Sequence, residues 1–281
     1  MQPDFPEAID FHKMHGSGND FVLVDNRNLG LAPERIQALS APICRRKFGI
    51  GADGLIFLDD APQDSEADYI WHFYNSDGSA AEMCGNGSRC AARLAHELGL
   101  AGPVHKLGTT AGPVHAEVMP DADQVKVQMT SPKDLALDLT LRINGSPLQV
   151  HFVNTGVPHA VIIGNDVKSV DVTGLGREVR NHEHFAPAGA NVNFVQVLEK
   201  GRIMVRTYER GVEDETFACG TGAAAAVFVT KMLGLTGPEV EVTTSGGEIL
   251  QISIQEGTVF LQGKAVKVSA GRLFPKALGL G

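Results

Sequence analysis

Tyr74-Asn75-Ser76-Asp77-Gly78 leads to Glu82-Met83-Cys84-Gly85-Asn86-Gly87-Ser88-Arg89 and on into Cys90-Ala91-Ala92-Arg93-Leu94-Ala95. A second stretch has the same plan: Tyr208-Glu209-Arg210-Gly211, then Phe217-Ala218-Cys219-Gly220-Thr221-Gly222, then Ala223-Ala224-Ala225-Ala226-Val227-Phe228. In each, a polar segment headed by Tyr reaches a Cys-Gly-polar-Gly turn and enters a run of strong helix formers. Each pattern predicts one cysteine at the mouth of a helix. There the unpaired N–H groups and the helix dipole favour a thiolate over a thiol.

The spacing around these stretches predicts an internal duplication. Gly18 pairs with Gly156 and Gly51 with Gly189, both 138 residues apart, and Cys84 pairs with Cys219 at 135. Landmarks holding so nearly one offset point to two similar halves. The coarse reading agrees. Strands at Phe11 to His15 and Phe21 to Asp25 flank a Gly16-Ser17-Gly18-Asn19-Asp20 turn, and a helix is expected from Glu34 to about Lys47. A strand at Tyr69 to Tyr74 delivers the first cysteine loop, and a hairpin is expected within Thr109 to Met129. The second half replays this with strands at Val150 to Val153 and Ala160 to Ile163 and a helix from Asp166 to about Asn181. A strand at Arg202 to Tyr208 then delivers the second cysteine loop, with Gly234 closing the helix that follows. Two α+β halves related by a pseudo-twofold would bring both cysteines to one cleft.

Composition narrows the function classes. At 281 residues and 43% apolar, the chain can bury two domain-sized cores. A net charge of −9 argues against nucleic acid and anionic membrane surfaces. Four cysteines without a CxxC pair indicate neither a zinc ribbon nor a disulfide scaffold, and suit a reducing cytoplasm. The acidic N-terminus, Met1 to Glu7, lacks the apolar core of a secretory signal, and the run Ala223 to Val229 is too short to span a bilayer. Gly16-x-Gly18 lacks the third glycine of a dinucleotide fingerprint, and there is no Walker A sequence.

Two matched acid–base groups suit a reaction that inverts a carbon centre, because a proton must leave one face and arrive at the other. Cys84 and Cys219 are the candidates. Cys44 and Cys90, inside helical runs, read as packing residues, and His182-x-His184 reads as a solvent loop. The Gly85-Asn86 and Gly220-Thr221 N–H groups form a candidate cradle for a carboxylate. Arg210 could hold a second carboxylate and Glu209 an ammonium. Asn19, Asn75 and Asn191 stand beside repeat landmarks as candidate substrate contacts, and His159, next to a duplicated turn, could tune a cysteine.

At these residues the sequence resembles diaminopimelate epimerase over nearly its whole length. The matching stretches are His15 to Phe21, Gly49 to Gly54, Asn75 to Arg89, Gly189 to Phe194 and Tyr208 to Gly222. The resemblance implies interconversion of LL- and meso-2,6-diaminopimelate in lysine and peptidoglycan precursor synthesis, with no cofactor and no metal, usually by a homodimer. It implies an α+β fold of two pseudo-symmetric domains, each a mainly antiparallel sheet wrapped round a central helix. The N-terminal half would be 1–131, completed by a C-terminal strand at about 266–281, and the other half 132–265. Cys84 and Cys219 map to the acid–base pair. Asn19, Asn75, Gly85, Asn86, Asn191, Glu209, Arg210, Gly220 and Thr221 map to substrate-binding positions, and His159 and Glu209 to positions that modulate the cysteines. Some family members carry Gln where this chain has Gly54 and Asn where it has Val157. A proline-type racemase would share the two cysteines but needs no cation for a distal carboxylate, and a thiol-redox module would work through a Cys84–Cys219 disulfide.

Overall fold

A computed structural model describes residues 5–119, 121 and 123–280. Met1 to Asp4 of the N-terminal stretch, Pro120 and Ala122 of the expected hairpin region, and Gly281 of the C-terminal segment lie outside the described residues. The chain divides into two units, residues 1–127 with 264–281, and residues 128–263.

The first unit begins with β1 (Ile9–Gly16), β2 (Asn19–Asp25), α1 (Pro33–Cys44), β3 (Gly54–Asp60) and β4 (Tyr69–Asn75). It continues with α2 (Gly85–Glu97), β5 (Val104–Thr109), β6 (Gly112–Met119) and β7 (Gln124–Gln128). The last strand of the chain, β17 (Val266–Leu273), pairs antiparallel with β1, so the sheet runs β17-β1-β2-β3-β4-β5-β6-β7. Pairing is antiparallel except at β2–β3 and β4–β5, where a helix intervenes and the strands run parallel.

The second unit repeats the plan. Its elements are β8 (Lys133–Ile143), β9 (Ser146–Asn154), β10 (Pro158–Ile163), α3 (Val172–Arg180), β11 (Asn191–Glu199) and β12 (Arg202–Glu209). There follow β13 (Asp214–Thr216), α4 (Gly220–Met232), β14 (Glu239–Thr243), β15 (Ile249–Gln255) and β16 (Thr258–Lys264). The order is β8-β9-β10-β11-β12-β14-β15-β16, parallel at β10–β11 and β12–β14, with β13 on the end of β12. β17 thus occupies in the first unit the place that β8 holds in the second.

In each unit the sheet separates two helices, and the two-residue period of the strands decides what each helix meets. In β2, Val22 and Val24 face α1, packing with Ile36, Leu39 and Ile43, while Phe21 faces the first turn of α2. In β10 and β11, Ala160, Ile162, Val192 and Phe194 pack with Val172 and Val179 of α3, leaving His159 and Asn193 for the side that meets α4. The inner helices can sit there because they are built from small residues: Ala91, Ala92 and Ala95 in α2 and Ala223 to Ala226 in α4 are fully buried. This is the α+β arrangement the sequence predicts, a sheet curled round a central helix in each half.

Several elements differ from the sequence reading, among them β5 and β13, which have no counterpart in it. The helix expected to run to Lys47 stops at Cys44, two residues past Pro42, whose ring removes an N–H and crowds the preceding turn. The Ile43 and Cys44 carbonyls are taken instead by the N–H groups of Gly51 and Ala52. The single helix expected from Asp166 to Asn181 is a 3-10 turn at Val167–Ser169 followed by α3. Asp166 caps the first piece and Asp171, accepting from the Gly174 N–H, starts the second. Strand β8 was not expected; a domain boundary near Pro132 was. His182 accepts from the His184 N–H and caps a further 3-10 turn on the surface.

Candidate active site

Cys84 and Cys219 are the N-cap residues of α2 and α4. Both have the extended backbone an N-cap requires, with φ −147° and ψ 120° at Cys84, and φ −120° and ψ 110° at Cys219. Neither side chain caps its own helix. The N–H groups of Gly85, Asn86 and Gly87, and of Gly220, Thr221 and Gly222, are therefore left for other acceptors. The first intrahelical bonds come one turn later, from the Ser88 N–H to the Cys84 carbonyl (2.8 Å) and from the Ala223 N–H to that of Cys219 (2.9 Å).

In the first unit three of the expected residues converge. The Cys84 Sγ donates to Asn19 Oδ1 at 3.7 Å, and Asn86 Nδ2 donates to the same oxygen at 3.3 Å. Asn19 is oriented by Asp53, whose Oδ2 accepts the Asn19 amide at 2.8 Å and the Asp20 N–H at 3.1 Å. Arg46 bridges Asp20 and Asp53, and Lys13 pairs with Asp20 at 2.7 Å. Burial pushes the Asp20 carboxyl up, but the bonds from Arg46 and Lys13 outweigh it and hold the group below the ordinary carboxylate range. Arg89, wholly buried, donates to Ser17 Oγ at 2.8 Å and Asn86 Oδ1 at 2.9 Å, tying the β1–β2 turn to the mouth of α2. Asn75 stands apart: at the end of β4 its amide donates to Ser79 Oγ (3.0 Å) and its carbonyl accepts from Ser40 Oγ (2.7 Å).

In the second unit the Thr221 hydroxyl lies 3.4 Å from the Cys219 Sγ, and Thr155 Oγ1 donates to the Thr221 carbonyl at 3.0 Å. Asn191 Oδ1 accepts the Arg210 N–H at 2.8 Å, and the Arg210 guanidinium reaches the Ala188 carbonyl at 3.3 Å. Glu209 Oε2 accepts from Thr216 Oγ1 at 3.0 Å, and burial holds its carboxyl above the ordinary range despite that bond. Thr207, Thr216 and Cys219 line one small cavity.

His159 is fully buried. Burial, helped by the charge of Arg210, lowers its pKa from 6.5 to about 3, so the ring is neutral. Its Nδ1 lies 3.0 Å from Asn193 Nδ2. Cys44 and Cys90 are buried packing residues, and burial pushes the Cys44 thiol up to about 11.

Gly54 and Val157, where some relatives carry polar side chains, differ in kind. A Cβ on Gly54 would stand 2.7 Å from the Phe73 ring and 3.1 Å from the Tyr74 carbonyl, so the site as built has no room for one. Val157 is half-buried and accepts the Thr155 N–H through its carbonyl. Sequence reasoning did not single out Asp53, Arg89, Asn193 or Thr207. A charged residue inside an alanine-rich helix could have marked Arg89; Asn193 and Thr207 are recognisable only from strand register, and Asp53 only from the fold of the loop ahead of β3.

The family model described as diaminopimelate epimerase matches residues 11–135 and 151–268. The chain belongs to the diaminopimelate epimerase family. A diaminopimelate epimerase of Aquifex aeolicus is 47% identical over 279 residues, 96% of this chain and 99% of the relative. One from Hydrogenobaculum is 43% identical over 273 residues, 93% and 97% of the two chains. Among solved structures, a hydroxyproline epimerase from Agrobacterium vitis shares the fold, with a TM-score of 0.71 at 17% identity over 99% of this chain and 96% of its own. The protein is accordingly an isomerase, as the family is, and both stretches that carry the cysteines fall within the matched segments.

Proposed function

We propose that this chain interconverts LL- and meso-2,6-diaminopimelate through a two-base mechanism in which Cys84 and Cys219 exchange the roles of thiolate and thiol. The observation that carries the reading is the repeated one: in each half a cysteine is the N-cap of a buried helix whose first N–H groups it leaves available.

One cysteine, as thiolate, removes the α-proton and becomes a thiol, leaving the electron pair at the α-carbon. The other, as thiol, delivers a proton to the opposite face and becomes the thiolate, so charge and protons balance. A thiol has a pKa of about 8.5, far below that of an amino-acid α-proton, so the carbanion has to be stabilised where it forms. The N–H groups of Gly85, Asn86, Gly220 and Thr221, at the positive ends of α2 and α4, supply that stabilisation by binding the adjacent carboxylate. Glu209 takes the ammonium, and Arg210, Asn19, Asn75 and Asn191 take the remaining polar groups, with Arg210 holding the distal carboxylate. His159 and Glu209 adjust the cysteines. The reaction uses only these groups. We further propose that the chain serves lysine and peptidoglycan precursor synthesis in the cytoplasm and works as a homodimer; its similarity to proteins named diaminopimelate epimerase supports the activity on which this rests.

The test is incubation of the reduced protein with LL-diaminopimelate in deuterium oxide, with α-proton NMR and separation of isomers. Deuterium wash-in with growth of the meso isomer is expected. Absence of exchange in folded, reduced protein overturns the substrate assignment.

A further inference from the structure

An arginine at the end of the outer helix is used twice. Gly51 and Gly189, the landmarks 138 residues apart, both take left-handed backbone, with φ +79° and +69°. Each also lies against an arginine. A Cβ on Gly51 would stand 3.1 Å from Arg46 Cγ, and one on Gly189 would overlap the Arg180 guanidinium. Arg46 lies two residues beyond α1, and Arg180 is the last residue of α3. In the first unit Arg46 reaches Asp20 at 2.7 Å and Asp53 at 3.1 Å, the acids behind Asn19. In the second, Arg180 Nε and Nη2 converge on Glu213 Oε1 at 3.1 and 3.0 Å.

Glu213 belongs to the turn that carries Glu209 and Arg210. Its N–H donates to the Glu209 carbonyl at 2.8 Å, closing the turn around Arg210. Its Oε1 also accepts the Gly211 N–H at 3.0 Å, and its Oε2 accepts the Tyr208 hydroxyl at 3.2 Å. The bonds from Gly211 and Arg180 hold the carboxyl below the ordinary range, so it is ionised at neutral pH. The other acid of the turn, Glu209, is engaged by Thr216. Arg210 thus stands between two acids that are both held elsewhere. Its guanidinium bonds the Ala188 carbonyl at 3.3 Å, beside the glycine on which Arg180 lies, and among the described residues it has no carboxylate partner.

We propose that Arg180 is a positioning residue: by sequestering Glu213 it keeps Arg210 clear of an internal ion pair and open to a substrate's distal carboxylate. The proposal deepens the epimerase reading above and rests on it for the identity of that carboxylate. Without Arg180, Glu213 keeps its charge and has only neutral donors, while the cation of its own turn is Arg210. Opposite charges so placed pair, and the pair competes with the substrate. Arg180 does for a binding cation what Arg46 does for a binding amide, by fixing the acid beside it.

The test is the kinetics of Arg180→Met with and without Glu213→Gln, beside the wild type. Arg180→Met should raise KM for LL-diaminopimelate about fivefold, the strength of a favourable exposed ion pair, with kcat changed much less. Adding Glu213→Gln removes the competing charge but keeps an acceptor for Gly211 and Tyr208, and should return KM to within about twofold of wild type. An unchanged KM in the single variant overturns the proposal. So does a double variant no better than the single one, because an arginine that only props the turn is not replaced by deleting its partner's charge. Arginine side-chain NMR of ligand-free wild-type protein reads the same claim whether or not the variants fold. The Arg180 Nε–H should be protected from exchange and that of Arg210 unprotected. Protection at Arg210, or none at Arg180, overturns the proposal whatever the substrate proves to be. The expected pattern in wild-type protein that does not turn over diaminopimelate supports it and overturns the substrate assignment alone.

Discussion

The same substitution placed at equivalent points of the two inner helices should have opposite consequences. Gly87 and Gly222 are each the third residue of their helix, and alanine is the better helix former by up to about 1 kcal/mol. At Gly87 the added methyl meets only the end of Ile56 and the Phe21 ring at 3.3 and 3.6 Å, beside the Cys84 Cβ at 3.6 Å, contacts that a small rotation of Ile56 relieves. Gly87→Ala should therefore be neutral or stabilising by about 0.5–1 kcal/mol. At Gly222 the methyl would lie 2.3 Å from Asn193 Oδ1, so the amide has to retreat by about 1 Å to regain ordinary contact. That amide is held by Ala160, Thr207 and His159, and moving it loses two or three buried bonds at about 1 kcal/mol each. Gly222→Ala should cost about 2–3 kcal/mol, a fall in Tm on the order of 5–10 °C for a chain of this size. Thermal melts followed by circular dichroism, with the two variants in parallel, read the difference. Equal shifts in the two variants would falsify the claim that the half-site interiors differ.

Three further outcomes follow from the site. Because the folded pKa of His159 is depressed to about 3 from 6.5, the unfolded chain binds a proton that the folded one refuses, so stability should fall as pH drops through that window. Urea midpoints at pH 7 and 4.5 should differ by less in His159→Asn than in the wild type; equal differences would remove His159 as the cause. The Glu209 carboxyl is raised by burial, so its contribution reverses: stability is greatest below the ordinary Glu value of 4.5 and declines as pH rises through the elevated one. Glu209→Gln should be more stable than wild type at pH 8 while losing epimerisation, and a less stable variant at pH 8 would contradict the burial argument. Asp53→Ala should release the Asn19 amide and lower kcat/KM by about tenfold with a smaller change in Tm, since the Asp53 side chain is 45% exposed; unchanged kinetics would show that Asn19 needs no such support.

The cysteine loops, the helices behind them and the duplication were legible because each rests on local signals: a turn of glycines, a run of alanines, one nearly constant offset. Strand β8 was not, although Leu135, Leu137, Leu139 and Leu141 alternate, because only Leu141 of these is buried and the strand is irregular. Asp134 and Asp138 take positive φ, and the register shifts on either side of Ala136, so no uniform face forms. The break between Val167–Ser169 and α3 turns on which of two aspartates caps a helix, a choice set by packing against β11 and β12. In the site, Cys84, Gly85, Asn86, Cys219, Gly220 and Thr221 announced themselves by motif. Asn193 and Thr207 did not, because what distinguishes them is what they oppose across a sheet, and sequence spacing carries no register.

The central claim, that two cysteines act as separate bases on one carbon, is tested most directly by where solvent deuterium first appears. LL-diaminopimelate is turned over in deuterium oxide for a small fraction of conversion, and substrate and product are separated and weighed for α-deuterium. With two bases the proton that leaves stays on one thiol while the product receives its hydrogen from the other, already exchanged with solvent. The meso product should then be deuterated while the remaining LL substrate stays protonated. Protium carried over into the product, or deuterium appearing equally in both isomers from the outset, would show a single base working on both faces.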